Sequence, residues 1–171
     1  MSLWVERLAR HHRRAEFHSG RVELDDWFHR FAGQADRRHN SARVWVLCDS
    51  DVDEGRQPIG YYALVAHAVT VAATPIELSR GLPPGYPIGA VLLARLAIDE
   101  RHQGRGLGTR LLADAVRRIA SADEQVAVPL FVVDAIDEAA ATFYERHDFR
   151  RLPSDRFRLA ARVTDVRRTL S

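Results

Sequence analysis

The sequence predicts a single α/β domain, in which a mixed sheet is flanked by helices. Strand-like apolar runs alternate with amphipathic segments along the chain, without internal repeats or low-complexity linkers. A length of 171 residues suits one domain, residues 1–171, with a proper core. Hydrophobic residues make up 46% and charged residues 28% of the chain, as in a folded globular protein.

The first half of the chain predicts a helix followed by a β-hairpin. Val22, Trp27, Phe28 and Phe31 recur at near-helical spacing, so we expect an early helix in which Trp27 and Phe31 are buried. The run ARVWVLCD is rich in β-forming residues and ends at the turn SDVDEGRQP. A longer strand, IGYYALVAHAVTV, then pairs with it.

The middle of the chain predicts a central strand and a long helix. TPIELSRGLPPGYP is interrupted by proline and glycine, which indicates a loop or short helix. GAVLLARLAID is apolar on nearly both faces, as expected at the centre of a sheet. An amphipathic helix follows Gly106. Its apolar face consists of Leu107, Leu111, Leu112, Ala115 and Ile119, and its opposite face of Arg110, Asp114, Arg117 and Arg118.

The last third predicts two strands around a capped helix. VPLFVVDA has the composition of a buried strand. Asp137 can cap the helix EAAATFYERH, because an Asp side chain accepts hydrogen bonds from the first free N–H groups of a helix. Arg158 to Val163 supply a last strand.

We expect a cytoplasmic protein with no membrane span. The longest apolar run, Ile88 to Ile98, is too short to cross a bilayer and contains Arg95. The N-terminus, MSLWVERLARHHRR, lacks the apolar core and cleavage site of a secretory signal. The single cysteine, Cys48, excludes an internal disulfide, fits a reducing compartment and is expected to pack in a strand.

All 25 basic residues are arginine, although the net charge is only +2. Either codon usage in a GC-rich genome or selection for RNA contact accounts for this bias, and arginine suits phosphates well. His11, His12 and His18 lie in an arginine-rich segment. Metal binding needs more ligands at the right spacing, so we expect no metal and a segment that is solvated or faces RNA.

The stretch RHQGRGLGTRLL predicts an anion site. Glycines at 104, 106 and 108 allow a sharp turn and leave N–H groups bare at a helix N-terminus. An ordinary strand-to-helix turn is the alternative. No Gly-Lys-Ser/Thr follows, so the Walker pattern is absent. The turn falls past mid-chain and position 128 is valine rather than acidic, so a Rossmann site fits poorly.

Two motifs resemble the GCN5-related N-acetyltransferases (GNAT). The family pattern Gln/Arg-x-x-Gly-x-Gly/Ala is matched by Gln103, Gly106 and Gly108, directly after RLAID. FVVDAIDEAAATFYERHDF resembles the later strand and Ala-x-x-Phe-Tyr helix. Asp137 replaces the usual asparagine. Either this replacement alters a coenzyme contact, or Asp137 serves only as a helix cap. Asp148 replaces the glycine before the final Phe, which indicates a different turn. The resemblance implies a mixed, mostly antiparallel sheet flanked by helices.

Over essentially the whole chain, the sequence resembles the acetyltransferase toxins of bacterial toxin–antitoxin pairs. The segments that distinguish this branch are Leu24, Asp25 and Trp27, and Gly60, Tyr61 and Tyr62. Core packing is the alternative explanation for each. The resemblance implies acetylation of the α-amine of aminoacyl-tRNA, which stops translation. It also implies a ribbon-helix-helix antitoxin as partner and a homodimer as assembly.

The same resemblance assigns the reacting groups. Acetyl-CoA would lie against residues 95–98, its pantetheine arm pairing with the backbone of Leu96 and Ile98, where one N–H polarises the thioester carbonyl. Its pyrophosphate would rest on the N–H groups of residues 103–109. The implied coenzyme site consists of Leu96, Ala97, Ile98, Gln103, Gly104, Arg105, Gly106, Leu107, Gly108 and Thr109.

Tyr144 matches the family's general acid. A phenol with a reference pKa near 10 remains protonated at neutral pH and can protonate the departing thiolate. Packing as a core aromatic beside Phe143 is the alternative. Neighbouring helix positions point in different directions, so the two rings are not expected to be equally buried.

The substrate side is less defined. No general base is evident, which suits an α-amine with a pKa of about 7.7–8.0 better than a lysine near 10.4. We expect Arg10, Arg13, Arg14 and Arg80 to gather where RNA enters. Arg95, inside the central strand, must be paired or face a cleft, so a structural ion pair and a substrate contact are both open.

Two other functions remain open. The first is a GNAT enzyme that acetylates a small amine or a protein N-terminus. The second is a non-catalytic acyl-CoA-binding regulatory module, against which the intact glycine turn and Tyr144 both count.

Overall fold

The computed structural model describes residues 1–170. The helices are α1 Val22–Arg30, α2 Ala32–Arg37, α3 Ile76–Ser79, α4 Leu107–Asp123, α5 Glu138–Glu145 and α6 Val163–Leu170. The strands are β1 Leu3–Arg7, β2 Arg43–Asp49, β3 Gly60–Val69, β4 Ile88–Ile98, β5 Leu130–Asp134, β6 Arg150–Leu152 and β7 Asp155–Arg162.

The seven strands form one sheet in the order β1-β2-β3-β4-β5-β7-β6. β1 with β2, β2 with β3, β5 with β7, and β6 with β7 pair antiparallel, whereas β4 and β5 run parallel. The register of β4 with β5 extends from Ala90 opposite Leu130 to Leu93 opposite Val133. The mixed, mostly antiparallel sheet and its β2–β3 hairpin are therefore confirmed.

The chain contains two compact units. The first combines Met1–Val65 with Arg95–Asp114, and the second combines Ala66–Ala94 with the chain from Ala115 onward. The first unit has an aromatic core centred on Tyr61. Its ring stacks on Phe28 at 4.2 Å between centroids, and Phe17 meets it edge-on at 5.5 Å. The Tyr61 hydroxyl donates to the Leu24 carbonyl at 2.7 Å, which fixes α1 against the sheet.

The early helix is present but interrupted. The prediction of which of its residues are buried is partly wrong. The chain leaves regular helical geometry at Phe31 (φ −116°, ψ −23°), so α1 and α2 are separate. Phe31 is 52% exposed and Val22 is 76% exposed, whereas Leu24 and Phe28 are buried. The buried stripe thus follows the i, i+4 spacing of Leu24 and Phe28 rather than every apolar residue.

Helix α4 buries the expected apolar face, but its opposite face differs from the prediction at one position. Leu107, Leu111, Leu112, Ala115 and Ile119 are all buried. Asp114 is only 7% exposed, and its carboxylate accepts a 2.6 Å hydrogen bond from the Tyr62 hydroxyl. A buried carboxylate with a phenol donor satisfies its hydrogen-bonding need, which a periodicity count cannot detect.

The second unit contains the parallel strand β5 and the helix that follows it. Leu130, Phe131, Val132 and Val133 are fully buried, as the apolar run predicted. Asp137 accepts a hydrogen bond of 2.9 Å from the Ala140 N–H, so the helix cap is present.

Asp148 adopts a conformation that suits glycine. Its φ is +69°, the left-handed conformation that glycine adopts readily and Asp tolerates better than most residues. Its carboxylate accepts a hydrogen bond of 2.8 Å from the Thr169 hydroxyl.

Strands β1 and β6 and helix α6 were not anticipated from the sequence. The predicted last strand begins earlier than expected, at Asp155, and ends at Arg162. Val163 is the first residue of α6 and does not belong to the strand. Within residues 1–170, no helix is both long and apolar enough to cross a membrane.

Candidate functional site

The glycine-rich turn connects β4 to α4 in the first unit. Gly104 and Gly106 have φ values of +76° and +73°, the left-handed region in which a side chain is strained. Nothing lies within 4 Å of where a Cβ would project at either residue. The turn therefore presents an open backbone, with the exposed Arg105 between the two glycines.

Helix α4 begins directly after this turn, at Leu107. Inside the helix, the Arg110 N–H reaches the Gly106 carbonyl at 3.2 Å. N–H groups in the first turn of a helix lack an acceptor one turn earlier, and the helix dipole favours an anion there. Leu107 is buried, whereas Gly108 and Thr109 are half-buried.

Asp99 anchors the start of the turn. Its fully buried carboxylate accepts hydrogen bonds from the Arg101 guanidinium at 2.9 Å and 3.0 Å, and from the His18 N–H at 3.1 Å. Burial raises the pKa of Asp99, but these donors outweigh burial and hold the pKa below its ordinary value. The carboxylate is ionised at neutral pH and fixes the turn to the N-terminal segment.

Gln103 has a structural role for its side chain. Its amide donates to the Ser19 carbonyl at 2.8 Å and to the Ile98 carbonyl at 2.9 Å. The family's Gln at this position therefore closes the turn against β4 and the N-terminal segment. Its backbone N–H also donates within the turn, to the Glu100 carbonyl at 3.5 Å.

The segment expected to pair with the coenzyme is the final part of β4, here called the coenzyme strand. Residues 95–98 continue past Leu93, where the register with β5 ends. Ala97 and Ile98 are buried and Leu96 is half-buried. Where β5 no longer pairs with β4, the N–H and C=O groups on that side of the strand can form hydrogen bonds with a ligand.

Arg95 stacks on an aromatic ring instead of forming an ion pair. Its guanidinium lies 4.4 Å from the centroid of Trp27, which in turn stacks on Tyr61 at 6.0 Å. Among residues 1–170, no carboxylate forms a salt bridge with Arg95. Of the two roles left open by the sequence, the structural ion pair is excluded within this part of the chain.

Gly60 explains why the branch's Gly-Tyr-Tyr segment starts with glycine. A Cβ there would lie 2.8 Å from Ile98 Cδ1, 3.1 Å from Leu111 Cδ1 and 3.2 Å from the Ala97 carbonyl. The glycine therefore lets β3 approach the coenzyme strand and the start of α4 closely.

Tyr144 lies in α5, in the second unit. The residue is 3% exposed, and its neighbour Phe143 is more exposed, as expected for adjacent helix positions. Burial and the nearby Asp134 raise the pKa of Tyr144, so the phenol is protonated at neutral pH. Within residues 1–170, its hydroxyl has no hydrogen-bond partner.

The arginines expected at the RNA face differ in their surroundings. Arg13 is compensated by Asp53 at 3.0 Å and by Glu16 at 3.4 Å. Arg14 is half-buried and donates to the Phe28 carbonyl at 2.7 Å. Arg10 in the first unit and Arg80 in the second are exposed.

The sequence suggested that the N-terminal histidines are solvated or face RNA, but not all of them are exposed. His12 is buried, and its Nε2 lies 2.7 Å from Glu6 Oε1, near His11 and Cys48. The Ala9 N–H donates to Nδ1 of His12, so the ring proton sits on Nε2 and points at Glu6. A metal at Nε2 needs that position deprotonated, so these groups form a hydrogen-bonded cluster.

Cys48 packs as expected. Burial, with the Glu6 carboxylate nearby, raises the pKa of its thiol to about 12. A protonated, buried thiol is not a nucleophile.

Asp99 and the Tyr62–Asp114 pair were missed by the sequence reasoning. The signal for Asp99 was an acidic residue ending an apolar strand, but nothing in the sequence names its distant partner His18. Tyr62 was noted only as part of a motif, and its hydrogen bond to Asp114 spans 52 positions.

A family model described as the acetyltransferase (GNAT) domain matches residues 40–151. The chain is 35% identical over 151 residues to the tRNA-acetylating toxin of Mycobacterium tuberculosis (strain ATCC 25618 / H37Rv), covering 88% of this chain and 86% of that protein. It is 29% identical over 163 residues to the probable toxin TacT of Sinorhizobium fredii (strain NBRC 101917 / NGR234), covering 91% and 88%.

Solved structures agree. AtaT complexed with acetyl-methionyl-tRNAfMet has a TM-score of 0.88 at 27% identity, covering 99% of this chain and 100% of that one. AtaTR bound with acetyl-CoA has a TM-score of 0.84 at 28% identity, covering 99% and 98%. The resemblance drawn from the Gln103–Gly108 turn and the Phe-Tyr helix is thereby confirmed, and the chain belongs to the GNAT acetyltransferase family.

Proposed function

We propose that this protein transfers the acetyl group of acetyl-CoA to the α-amine of aminoacyl-tRNA and so blocks translation. The observation that carries the proposal is the turn after β4. Its left-handed Gly104 and Gly106 leave the backbone open beside the first turn of α4, with Arg105 exposed between them. An open backbone, a helix N-terminus and an arginine together suit a pyrophosphate.

Acetyl-CoA would bind along the first unit's strand end and turn. The backbone of Leu96 and Ile98 would pair with the pantetheine arm, with Ala97 between them, and the N–H groups of residues 103–109 would hold the pyrophosphate. One strand N–H would also donate to the thioester oxygen as negative charge develops on it. Such a donor contributes roughly 3 kcal/mol to stabilising the transition state.

The reaction requires one proton to be lost and one to be supplied. The neutral amine attacks the thioester carbonyl, and the carbon–sulfur bond breaks as the amide forms. Tyr144 would donate its phenolic proton to the departing thiolate, and the amine would lose a proton to water. The raised pKa of Tyr144 keeps this donor protonated, and its hydroxyl has no competing partner within residues 1–170.

The relatives support an aminoacyl-tRNA substrate. One is named a tRNA-acetylating toxin, and AtaT has been solved with acetyl-methionyl-tRNAfMet. An α-amine also needs less help from a base than a lysine amine does, because its pKa is near 8 rather than above 10. Arg13, Arg14, Arg80 and Arg95 remain our proposed RNA contacts, and of these four Arg13 alone pairs with carboxylates among residues 1–170.

The proposed assembly follows the same relatives. AtaT has been solved with the C-terminus of the antitoxin AtaR. We assign this protein an antitoxin of the ribbon-helix-helix type, a homodimeric state and a cytoplasmic location, where charged tRNA is found.

The function is tested by incubating the protein with labelled acetyl-CoA and a panel of acceptors. We expect transfer to charged tRNA and none to the same tRNA after deacylation. Transfer to a small amine or to peptide N-termini, with none to charged tRNA, would replace the proposal with a general N-acetyltransferase. Acetyl-CoA binding without any transfer would indicate a regulatory module.

A further inference from the structure

Two arginine side chains converge over Gly33 in α2. A Cβ added at Gly33 would lie 2.9 Å from Nη2 of Arg37 and 3.1 Å from Nη2 of Arg14. The Nη2 atoms of both guanidiniums therefore lie close to the same point beside the buried Gly33. Arg14 comes from the N-terminal segment and Arg37 from the end of α2, and both belong to the first compact unit.

This pair has no counter-charge. Among residues 1–170, no carboxylate forms an ion pair with Arg14 or Arg37. Other arginines in this unit are compensated: Asp36 accepts from both Arg7 and Arg43. Arg14 and Arg37 therefore differ from Arg7 and Arg43 in lacking a carboxylate partner.

One member of the pair is held in place. Arg14 Nη1 donates to the Phe28 carbonyl at 2.7 Å, which fixes its guanidinium. Burial lowers the pKa of Arg14, and the neighbouring charge of Arg37 lowers it further. The two like charges repel each other, and an anion that binds both guanidiniums would relieve this repulsion.

The donors suit a phosphate oxygen, since guanidinium groups form charge-assisted hydrogen bonds with phosphates. Two guanidiniums without a counter-charge suit a phosphate group, and the RNA substrate proposed above supplies such phosphates along its backbone.

We propose that Arg14 and Arg37 bind one backbone phosphate of the RNA substrate, and that a side chain at Gly33 would shift the Arg37 guanidinium and crowd that of Arg14. This inference rests on the proposed function for the identity of the ligand. The site positions the RNA without reading its sequence.

Gly33→Ala provides a sharp test because it removes no charge. The φ of Gly33 is not positive, so alanine fits its helical backbone, and alanine favours helix more than glycine does. We expect unchanged or higher thermal stability together with weaker binding of uncharged tRNA, measured by fluorescence anisotropy. Arg37→Ala should weaken binding several-fold and reduce the slope of log affinity against log salt by about one.

Arg38→Ala is the matched control, because it removes an equal charge from the adjacent exposed position. If Arg37→Ala binds tRNA like the wild type, or if Arg38→Ala reproduces the loss seen in Arg37→Ala, a specific phosphate site is excluded. Normal tRNA binding by Gly33→Ala would exclude the role given to Gly33. Loss of acetyl-CoA affinity in Arg37→Ala, by calorimetry, would assign the pair to a coenzyme phosphate instead. Loss of polyglutamate binding with intact tRNA binding would assign it to an acidic protein partner.

The assay uses uncharged tRNA, so its result does not depend on acetyl transfer. If charged tRNA is never acetylated but the variants still lose tRNA binding, the proposed function fails and the phosphate site stands. If charged tRNA is acetylated and the variants bind tRNA normally, only the phosphate site fails.

Discussion

The buried carboxylate of Asp99 accepts a hydrogen bond of 3.1 Å from the backbone N–H of His18, 81 positions earlier in the chain. The Gln103 amide makes a second such link, to the Ser19 carbonyl. The turn proposed to hold the coenzyme pyrophosphate is thus shaped by the N-terminal segment as well as by its own glycines. This relationship makes Asp99 a test of how the turn is held.

Asp99→Asn should destabilise the protein by about 2 kcal/mol at neutral pH and weaken acetyl-CoA binding. The amide retains the shape but loses the charge that the Arg101 guanidinium and two N–H donors stabilise. Urea unfolding and calorimetry measure the two effects. Glu100→Gln, an exposed neighbour, is the control and should change neither value.

The stability difference between wild type and Asp99→Asn should depend on pH. Because folding lowers the pKa of Asp99, its stabilisation is complete above the unfolded pKa, near 3.9, and is lost as pH falls through the folded pKa. The difference in unfolding free energy should be constant from about pH 7 to 5 and shrink below about 4. A difference that persists unchanged in acid would show that the charge of Asp99 is not what stabilises the turn.

Gly106→Val should weaken acetyl-CoA binding by tenfold or more. A β-branched residue resists the φ of +73° and places its side chain where the phosphates would approach. Gly81→Val is the matched control, since Gly81 has a φ of +82° and equally open space around it. Both variants should lose similar stability, and equal coenzyme affinity in the two would remove the turn from the binding site.

Tyr144→Phe should lose most acetyl transfer while retaining acetyl-CoA affinity. The hydroxyl is needed only when the thiolate departs, so its removal lowers kcat rather than ground-state binding. Tyr86→Phe makes the same substitution at a tyrosine that is 72% exposed and should behave as wild type. Single-turnover transfer assays decide the matter: near-normal rates in Tyr144→Phe exclude it as the acid.

Arg95→Gln should raise the KM for charged tRNA with little change in acetyl-CoA affinity. The side chain stacks on Trp27 and has no carboxylate partner within residues 1–170, which leaves its charge available to an anionic substrate. Arg56→Gln, whose side chain pairs with Asp53 at 3.1 Å, is a suitable control. Equal KM values for the two variants and the wild type would restrict Arg95 to packing.

Periodic burial made most of the fold predictable from the sequence. Leu107, Leu111 and Leu112 mark the buried face of α4 because a helix repeats every 3.6 residues. The helix cap at Asp137 was also predictable, because its hydrogen bond comes from an N–H only three residues away. The turn proposed to hold the coenzyme pyrophosphate could be located from glycine spacing for the same reason.

Features that depend on distant partners were not predictable. Asp114 was assigned to the polar face, but Tyr62 buries it. β1 is half-buried along most of its length and lacks a clear alternation, so its pairing with β2 has no local signal. The convergence of Arg14 and Arg37 over Gly33 likewise exists only after the N-terminal segment has packed on α2.

The most direct measurement is the chemical identity of the acetylated product. Charged tRNA is incubated with acetyl-CoA and the protein, the ester bond is then cleaved with mild base, and the released amino acid is analysed by mass spectrometry. The account predicts an N-acetylated amino acid with wild type and the free amino acid with Tyr144→Phe. Recovery of only the free amino acid with active wild-type protein would contradict the assignment of the α-amine as the acceptor.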